Sequence, residues 1–60
     1  MIEVNGFKVF RGTMRITPIP STSDPFEVRG NWLYRPKYDR WYGCGMSIEA
    51  DNCEIVEDET

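Results

Sequence analysis

The chain contains few residues that could carry out covalent or acid–base chemistry. Its 60 residues include no histidine, the side chain used most often as a general acid or base and as an activator of a nucleophile. Cys44, between Gly43 and Gly45, is the one candidate nucleophile, and Arg40 is close enough in sequence to favour its thiolate. A small residue in a tight turn explains the same pattern without chemistry. Because a base and an orienting group are both lacking, we predict that this protein is not an enzyme.

Metal and cofactor sites are equally poorly supported. Cys44 and Cys53 are the only cysteines, so one disulfide could form, but in a reducing cytosol we expect two free thiols. A structural zinc site needs four nitrogen or sulfur ligands, and this chain could complete one only across a dimer. The sequence also has no Gly-rich phosphate-binding loop opening a helix. We therefore predict no metal and no cofactor.

A short basic and aromatic segment is the strongest candidate for binding. It interleaves cations with aromatic rings that could hold a proline-rich peptide between them or stack on nucleic-acid bases. The residues predicted to form the site are Arg35, Lys37, Tyr38, Arg40, Trp41 and Tyr42. We predict a non-catalytic module that binds a protein or peptide through this hairpin, or associates with itself as a homodimer. The plainer interpretation is that the basic hairpin and the acidic C-terminal segment simply attract each other and keep the protein soluble.

The charge distribution leaves a second function open. Residues 29–42 hold four cations and one carboxylate, whereas residues 49–60 hold six carboxylates and no cation. Weak single-stranded nucleic-acid binding by the hairpin of residues 29–42 is therefore the alternative. The formal net charge of −3 argues against it, because nucleic-acid binders are usually basic. Imitation of nucleic acid by the acidic segment is a third hypothesis, which six carboxylates support only weakly.

Alternation of apolar and polar residues predicts β-strands along most of the chain and no substantial helix. The predicted strands are residues 2–4, 7–10, 13–17, 26–34, 40–42 and 53–57. Asn5 and Gly6 predict a tight hairpin turn, and Gly12 predicts a bulge or bend. Residues 20–25 form a polar, proline-bounded loop, and residues 46–52 are predicted as a loop or a single helical turn.

The strand at residues 26–34 shows the clearest alternation. One of its faces carries Phe26, Val28, Gly30, Trp32 and Tyr34. Gly30 leaves a gap that a neighbouring ring, from Trp41 or Tyr42, could cover. Since these two rings are adjacent in sequence, they must face opposite sides of the sheet, one in the core and one on the surface. The same rule directs Leu33 outward.

Curling of the sheet would protect both its open edges and its exposed apolar face. Residues 32–57 also resemble the closing half of an SH3-type barrel. The shared order is a strand ending at Tyr34, a turn, the aromatic pair Trp41 and Tyr42, a Gly-containing turn, a short irregular segment and a last apolar strand. The resemblance implies a small, partly open five-stranded barrel of antiparallel strands. It also implies that Trp41 helps to form a groove for proline-rich peptides.

Length and composition predict a single small domain. Residues 1–57 are expected to form the barrel, and residues 58–60 an acidic frayed end. No apolar run approaches the ~18 residues that a membrane span needs, and no basic-then-apolar leader is present. We therefore expect a cytoplasmic protein without membrane contact. From its small size and its Met1 start we expect a stand-alone small protein of bacterial or phage type.

Overall fold

The computed structural model describes residues 1–18 and 24–60, and their regular structure is almost entirely β. Six antiparallel strands form one sheet. They are β1 (Ile2–Val4), β2 (Phe7–Ile16), β3 (Phe26–Arg35), β4 (Arg40–Gly43), β5 (Met46–Glu49) and β6 (Cys53–Asp58), with a 3₁₀ turn at Ala50–Asn52. No helix in the described ranges is long and apolar enough to cross a membrane. The predicted antiparallel all-β fold class is confirmed, while the predicted loop of residues 20–25 falls mostly outside the described residues.

The sheet is built around β2. One edge of β2 pairs with β3 along nearly its whole length, and the other edge pairs first with β1 and then with β6. Beyond β3, the sheet continues with β4 and then with β5. Across the described residues β5 pairs with β4 alone, so the hydrogen bonding is that of an open sheet of six strands, whereas the sequence predicted a partly open five-stranded barrel.

β2 runs without interruption through Gly12, where the sequence predicted a bulge or bend. The irregularity lies instead on the partner strand: the register with β6 shifts between Thr13 and Met14, so that Val56 has no opposite residue. Gly12 is required because the β6 backbone passes directly over it. A Cβ at position 12 would lie 1.9 Å from the carbonyl oxygen of Glu57.

Met46–Glu49 is a strand, although the sequence predicted a loop or helical turn there. Met46 and Ile48 are opposite Gly43 and Trp41 of β4, and their side chains pack against the core. The segment has only four residues, too few for its alternation to stand out from a loop. Helical structure is limited to the 3₁₀ turn that follows.

The core occupies one face of the sheet. Its buried side chains are Phe10, Met14, Ile16, Trp32 and Trp41. Phe10 and Trp32 are directly opposite each other on β2 and β3, and Val28 and Tyr34 pack beside them on the same face of β3. The alternation predicted for residues 26–34 therefore places Trp32 correctly.

Gly30 is covered by Cys44 and not by an aromatic ring. A Cβ at position 30 would lie 2.3 Å from the Cys44 Sγ, and this thiol also lies 3.8 Å from the carbonyl oxygen of Arg29. Trp41 and Tyr42, the predicted covers, lie elsewhere because β4 pairs with the C-terminal end of β3. Cys44 reaches the gap from the β4–β5 turn, where its φ of 51° is a left-handed conformation.

The C-terminal residues are held by specific contacts, although their composition predicted a frayed end. The Glu59 amide donates to the Arg11 carbonyl at 2.8 Å, and the Arg11 amide donates to the Thr60 hydroxyl at 2.7 Å. The Glu59 carboxylate accepts two hydrogen bonds from the Arg29 guanidinium, at 2.7 and 2.6 Å. Long-range pairing of this kind is not visible in the local composition.

Acid should weaken this C-terminal attachment. The hydrogen bonds from Arg29 lower the pKa of Glu59. Because the folded pKa lies below the unfolded one, the ion pair stabilises the fold above the ordinary range for glutamate, and this contribution is lost as the pH falls through the folded value. We expect urea titrations between about pH 7 and pH 3 to show falling stability, and a smaller fall in Glu59→Gln. An equal fall in both proteins would contradict a role for this pair.

Candidate functional site

The turn between β3 and β4 positions most of the predicted site. Within it the Tyr38 amide donates to the Arg35 carbonyl at 3.2 Å, and the Asp39 amide donates to the Pro36 carbonyl at 3.4 Å. Asp39 adopts a left-handed φ of 52°. Its carboxylate accepts a hydrogen bond from the Tyr34 hydroxyl, which raises the pKa of that tyrosine. Backbone and side-chain bonds together therefore fix how the turn presents Tyr38.

Trp41 and Tyr42 lie on opposite faces of β4. Trp41 is 7% exposed and packs edge-on against Phe10, with ring centroids 5.4 Å apart, and against Tyr34 at 5.2 Å. Tyr42 is opposite Leu33 on the outer face, the face that points away from the core, and is half-buried. The structure thus separates Trp41 from the other predicted site residues, because a ring in the core is not available to a partner.

The remaining residues form a connected group on the surface. Tyr38 is 49% exposed, and the Arg35 guanidinium carbon lies 5.3 Å from its ring centroid. Arg35 also lies 5.5 Å from the ring of Tyr42, and the Lys37 ammonium lies 5.5 Å from the ring of Tyr38. These are cation–π distances. We name this group, together with Arg40, the basic-aromatic surface; its residues are Arg35, Lys37, Tyr38, Arg40 and Tyr42.

Two arginines are directly opposite each other in this surface. Arg35 and Arg40 pair across β3 and β4, an arrangement that is unfavourable for like charges. Arg40 turns toward β5, where it bonds the Ser47 hydroxyl at 2.8 Å and lies 3.7 Å from the Glu49 carboxylate. Among the described residues, Arg35 and Lys37 have no carboxylate within 4.0 Å. This part of the surface therefore carries positive charge that the protein itself leaves uncompensated.

Sequence reasoning missed a second exposed feature beside this surface. β1 and β2 pair so that Ile2 is opposite Val9 and Val4 is opposite Phe7. All four side chains therefore lie on one face, and all four are exposed. The signal was present, since both strands alternate around the Asn5–Gly6 turn. Their shared face becomes apparent only once the register of the hairpin is known.

The two cysteines lie in different parts of the sheet, Cys44 in the β4–β5 turn and Cys53 at the start of β6. Cys44 packs against Gly30, and Arg40, the cation expected to activate it, bonds β5 instead. Both cysteines are free thiols, and burial raises the pKa of Cys53. Within residues 1–18 and 24–60 no three side chains of His, Cys, Asp or Glu are grouped as metal ligands.

A shallow cavity of about 240 Å³ lies between the end of β2 and β5. Its lining residues are Ile16, Thr17, Pro18, Arg40, Ser47, Ile48, Glu49 and Asn52. The Thr17 amide donates to the Asn52 carbonyl at 2.8 Å and joins its two sides. The Arg40 guanidinium in its wall is already bonded to Ser47, so the cavity offers no unsatisfied cation to a ligand.

Comparison with known proteins adds no relative. No protein-family model, no curated protein and no solved structure matches this chain.

Proposed function

We propose that this protein is a non-catalytic interaction module that binds a protein or peptide through the basic-aromatic surface. The single observation that carries the proposal is the position of Arg35. It lies between the rings of Tyr38 and Tyr42 and opposite Arg40, with no carboxylate partner among the described residues. Tyrosine and arginine are enriched among residues that dominate binding energy, because they combine apolar area with directional polar groups.

The electrostatic arrangement favours an anionic group in the partner. A carboxylate placed near Arg35 and Lys37 would offset both the cross-strand repulsion and the unpaired charge. Tyr38 would supply an apolar contact next to that ion pair. Tyr34 and Asp39 hold the turn in place, so little conformational freedom would be lost on binding.

We further propose that the sheet curls into a partly open barrel of the SH3-like kind. In the order of the sheet, β5 is the last strand on one side, and β6 pairs with β2 on the other side. In the sequence, only the three residues of the 3₁₀ turn separate β5 from β6. The cavity between the end of β2 and β5 supports the same curvature, since a flat sheet would keep these strands far apart. A short turn before the last strand also fits that barrel.

Weak single-stranded nucleic-acid binding is the second candidate. In the hairpin of residues 29–42, Arg35 and Lys37 lack carboxylate partners within 4.0 Å among the described residues, and both lie over the ring of Tyr38. Phosphates and bases would suit such a group. The acidic pI of about 4.7 makes this candidate weaker. Titration of a labelled single-stranded oligonucleotide at rising salt decides it: binding that falls steeply with salt supports this candidate, and no binding at low salt removes it.

A peptide-display selection tests the leading proposal. The immobilised protein is panned against a random peptide library, and the recovered peptides are titrated against the wild type and Tyr38→Ala. We expect recovered sequences to carry carboxylates and Tyr38→Ala to weaken binding about tenfold or more, since truncation of an aromatic hot spot costs about 2 kcal/mol or more.

Phe26→Ala is the matched control. Phe26 is also an exposed aromatic, at the far end of β3, and lies outside the basic-aromatic surface. We expect it to bind the recovered peptides as the wild type does. Equal losses in Tyr38→Ala and Phe26→Ala, with both proteins folded, would contradict the proposal.

A further inference from the structure

The outer face of the β1–β2 hairpin is the most exposed apolar part of the molecule. We name Ile2, Val4, Phe7, Val9 and Leu33 the outer apolar patch. Val4 is 61% exposed and Ile2 is 58% exposed, although both are in a regular strand. Contiguous apolar area of this kind on a small soluble protein marks an interaction surface more often than isolated exposed residues do.

The patch is continuous with the basic-aromatic surface. Val9 is opposite Leu33, and Leu33 is opposite Tyr42, so the apolar row extends across β1, β2, β3 and β4. The two turns at this end of the sheet also touch, since a Cβ on Gly6 would lie 3.2 Å from the Cγ of Pro36. A partner lying on the patch would therefore reach Arg35.

The charges beside the patch indicate which kind of partner would bind it. Arg35 and Lys37 lie at its end without carboxylate partners in the described ranges. In a symmetric dimer formed through this face, each copy would bring the same cations to the contact, and the nearby Glu49 carboxylate is already within 3.7 Å of Arg40. An apolar partner that carries carboxylates would bury the patch and neutralise the cations together.

We infer that the outer apolar patch docks an acidic amphipathic segment of another protein, one that presents apolar side chains to β1 and β2 and carboxylates to Arg35 and Lys37. The inference rests on the proposed function and specifies its partner. It also enlarges the site: four side chains of the N-terminal hairpin make contacts that the basic-aromatic surface alone does not provide.

Three synthetic peptides test this partner chemistry. Each has about 12 residues, roughly 40 Å when extended, and alternates Leu with Glu, Leu with Lys or Ser with Glu. Fluorescence anisotropy measures their binding to the full chain. We expect the Leu-Glu peptide to bind at least about tenfold more tightly than the other two. Equal binding of the Ser-Glu peptide, or no binding of the Leu-Glu peptide, would overturn the inference.

Substitutions at Val4 test where the peptide lies. Val4→Glu should weaken Leu-Glu binding about tenfold or more, and Val4→Lys should weaken it less, because only glutamate repels the carboxylates. Val56→Glu is the control: Val56 is 43% exposed on β6, away from the patch. It should change binding less than about twofold. Equal effects of Val4→Glu and Val56→Glu would place the peptide elsewhere and contradict the inference.

Sedimentation velocity of the wild type and Val4→Glu distinguishes binding of an acidic segment from self-association through the same patch. We expect both to be monomers. A wild-type dimer that Val4→Glu dissociates would mean that the occupant is this chain itself, and would overturn the inference. The inference can also fail while the proposed function stands: peptides recovered by display that depend on Tyr38 but not on Val4 would support the basic-aromatic surface and would remove the patch from the site.

Discussion

Replacing Trp41 by alanine is expected to unfold most of the protein at room temperature. The Trp41 ring contacts Phe10 and Tyr34, and it is buried on the core face opposite Ile48. Truncation of a buried tryptophan costs about 3–5 kcal/mol. A core in a domain of this size rarely supplies more than about 3–5 kcal/mol in total, so one such loss removes most of it. Far-ultraviolet circular dichroism and urea titration measure the effect.

Tyr42→Ala is the control for this substitution, since Tyr42 is the next residue on the same strand and faces outward. We expect it to cost about 1 kcal/mol or less and to leave a cooperative unfolding transition. A folded Trp41→Ala protein with near-normal stability would instead return Trp41 to the surface and contradict the assignment of the two faces of β4.

Gly12→Ala is expected to detach or displace β6. The new Cβ would lie 1.9 Å from the carbonyl oxygen of Glu57 and 3.2 Å from the Cα of Asp58, and both atoms belong to the backbone. Because neither atom can move alone, the strand itself must shift. Forced overpacking of this kind costs about 1–3 kcal/mol, or more when pairing is lost. Hydrogen exchange should show that amides of β6 lose protection before those of β3.

Gly30→Ala is a closely matched control, because Gly30 is opposite Gly12 on β3. Its Cβ would meet only the Cys44 Sγ, the end of a side chain that can rotate away. We expect a clearly smaller loss of stability and normal protection of β6. If the two substitutions were equally costly, the close approach of β6 to Gly12 would not explain the need for glycine there.

The fold was largely predictable where a strand was long enough to show its alternation. Residues 26–34 revealed their inner face through five alternating positions, and the adjacent pair Trp41 and Tyr42 had to divide between core and surface. β5 escaped prediction because four residues carry too little periodicity. The contact of Cys44 with Gly30 was not predicted, because Cys44 lies in a turn fourteen residues away and the strand register determines which side chain packs there.

The candidate site was predictable only in part, for the same reason. Composition alone found the cations and rings of the β3–β4 turn. It could not show that Arg35 is opposite Arg40, nor that Arg40 turns to Ser47, because both depend on pairing between strands. The exposed face of β1 and β2 likewise required the register of their hairpin.

Amide chemical-shift mapping gives the most direct test of the proposed surface. The ¹⁵N-labelled protein is titrated with a peptide recovered by display, and shifts are assigned along the sheet. We predict changes concentrated in the turn after Arg35, in Tyr42 and in β1 and β2 near Val4. Changes confined to the cavity around Thr17 and Asn52, with the β3–β4 turn unaffected, would contradict the proposal that this protein binds its partner through the basic-aromatic surface.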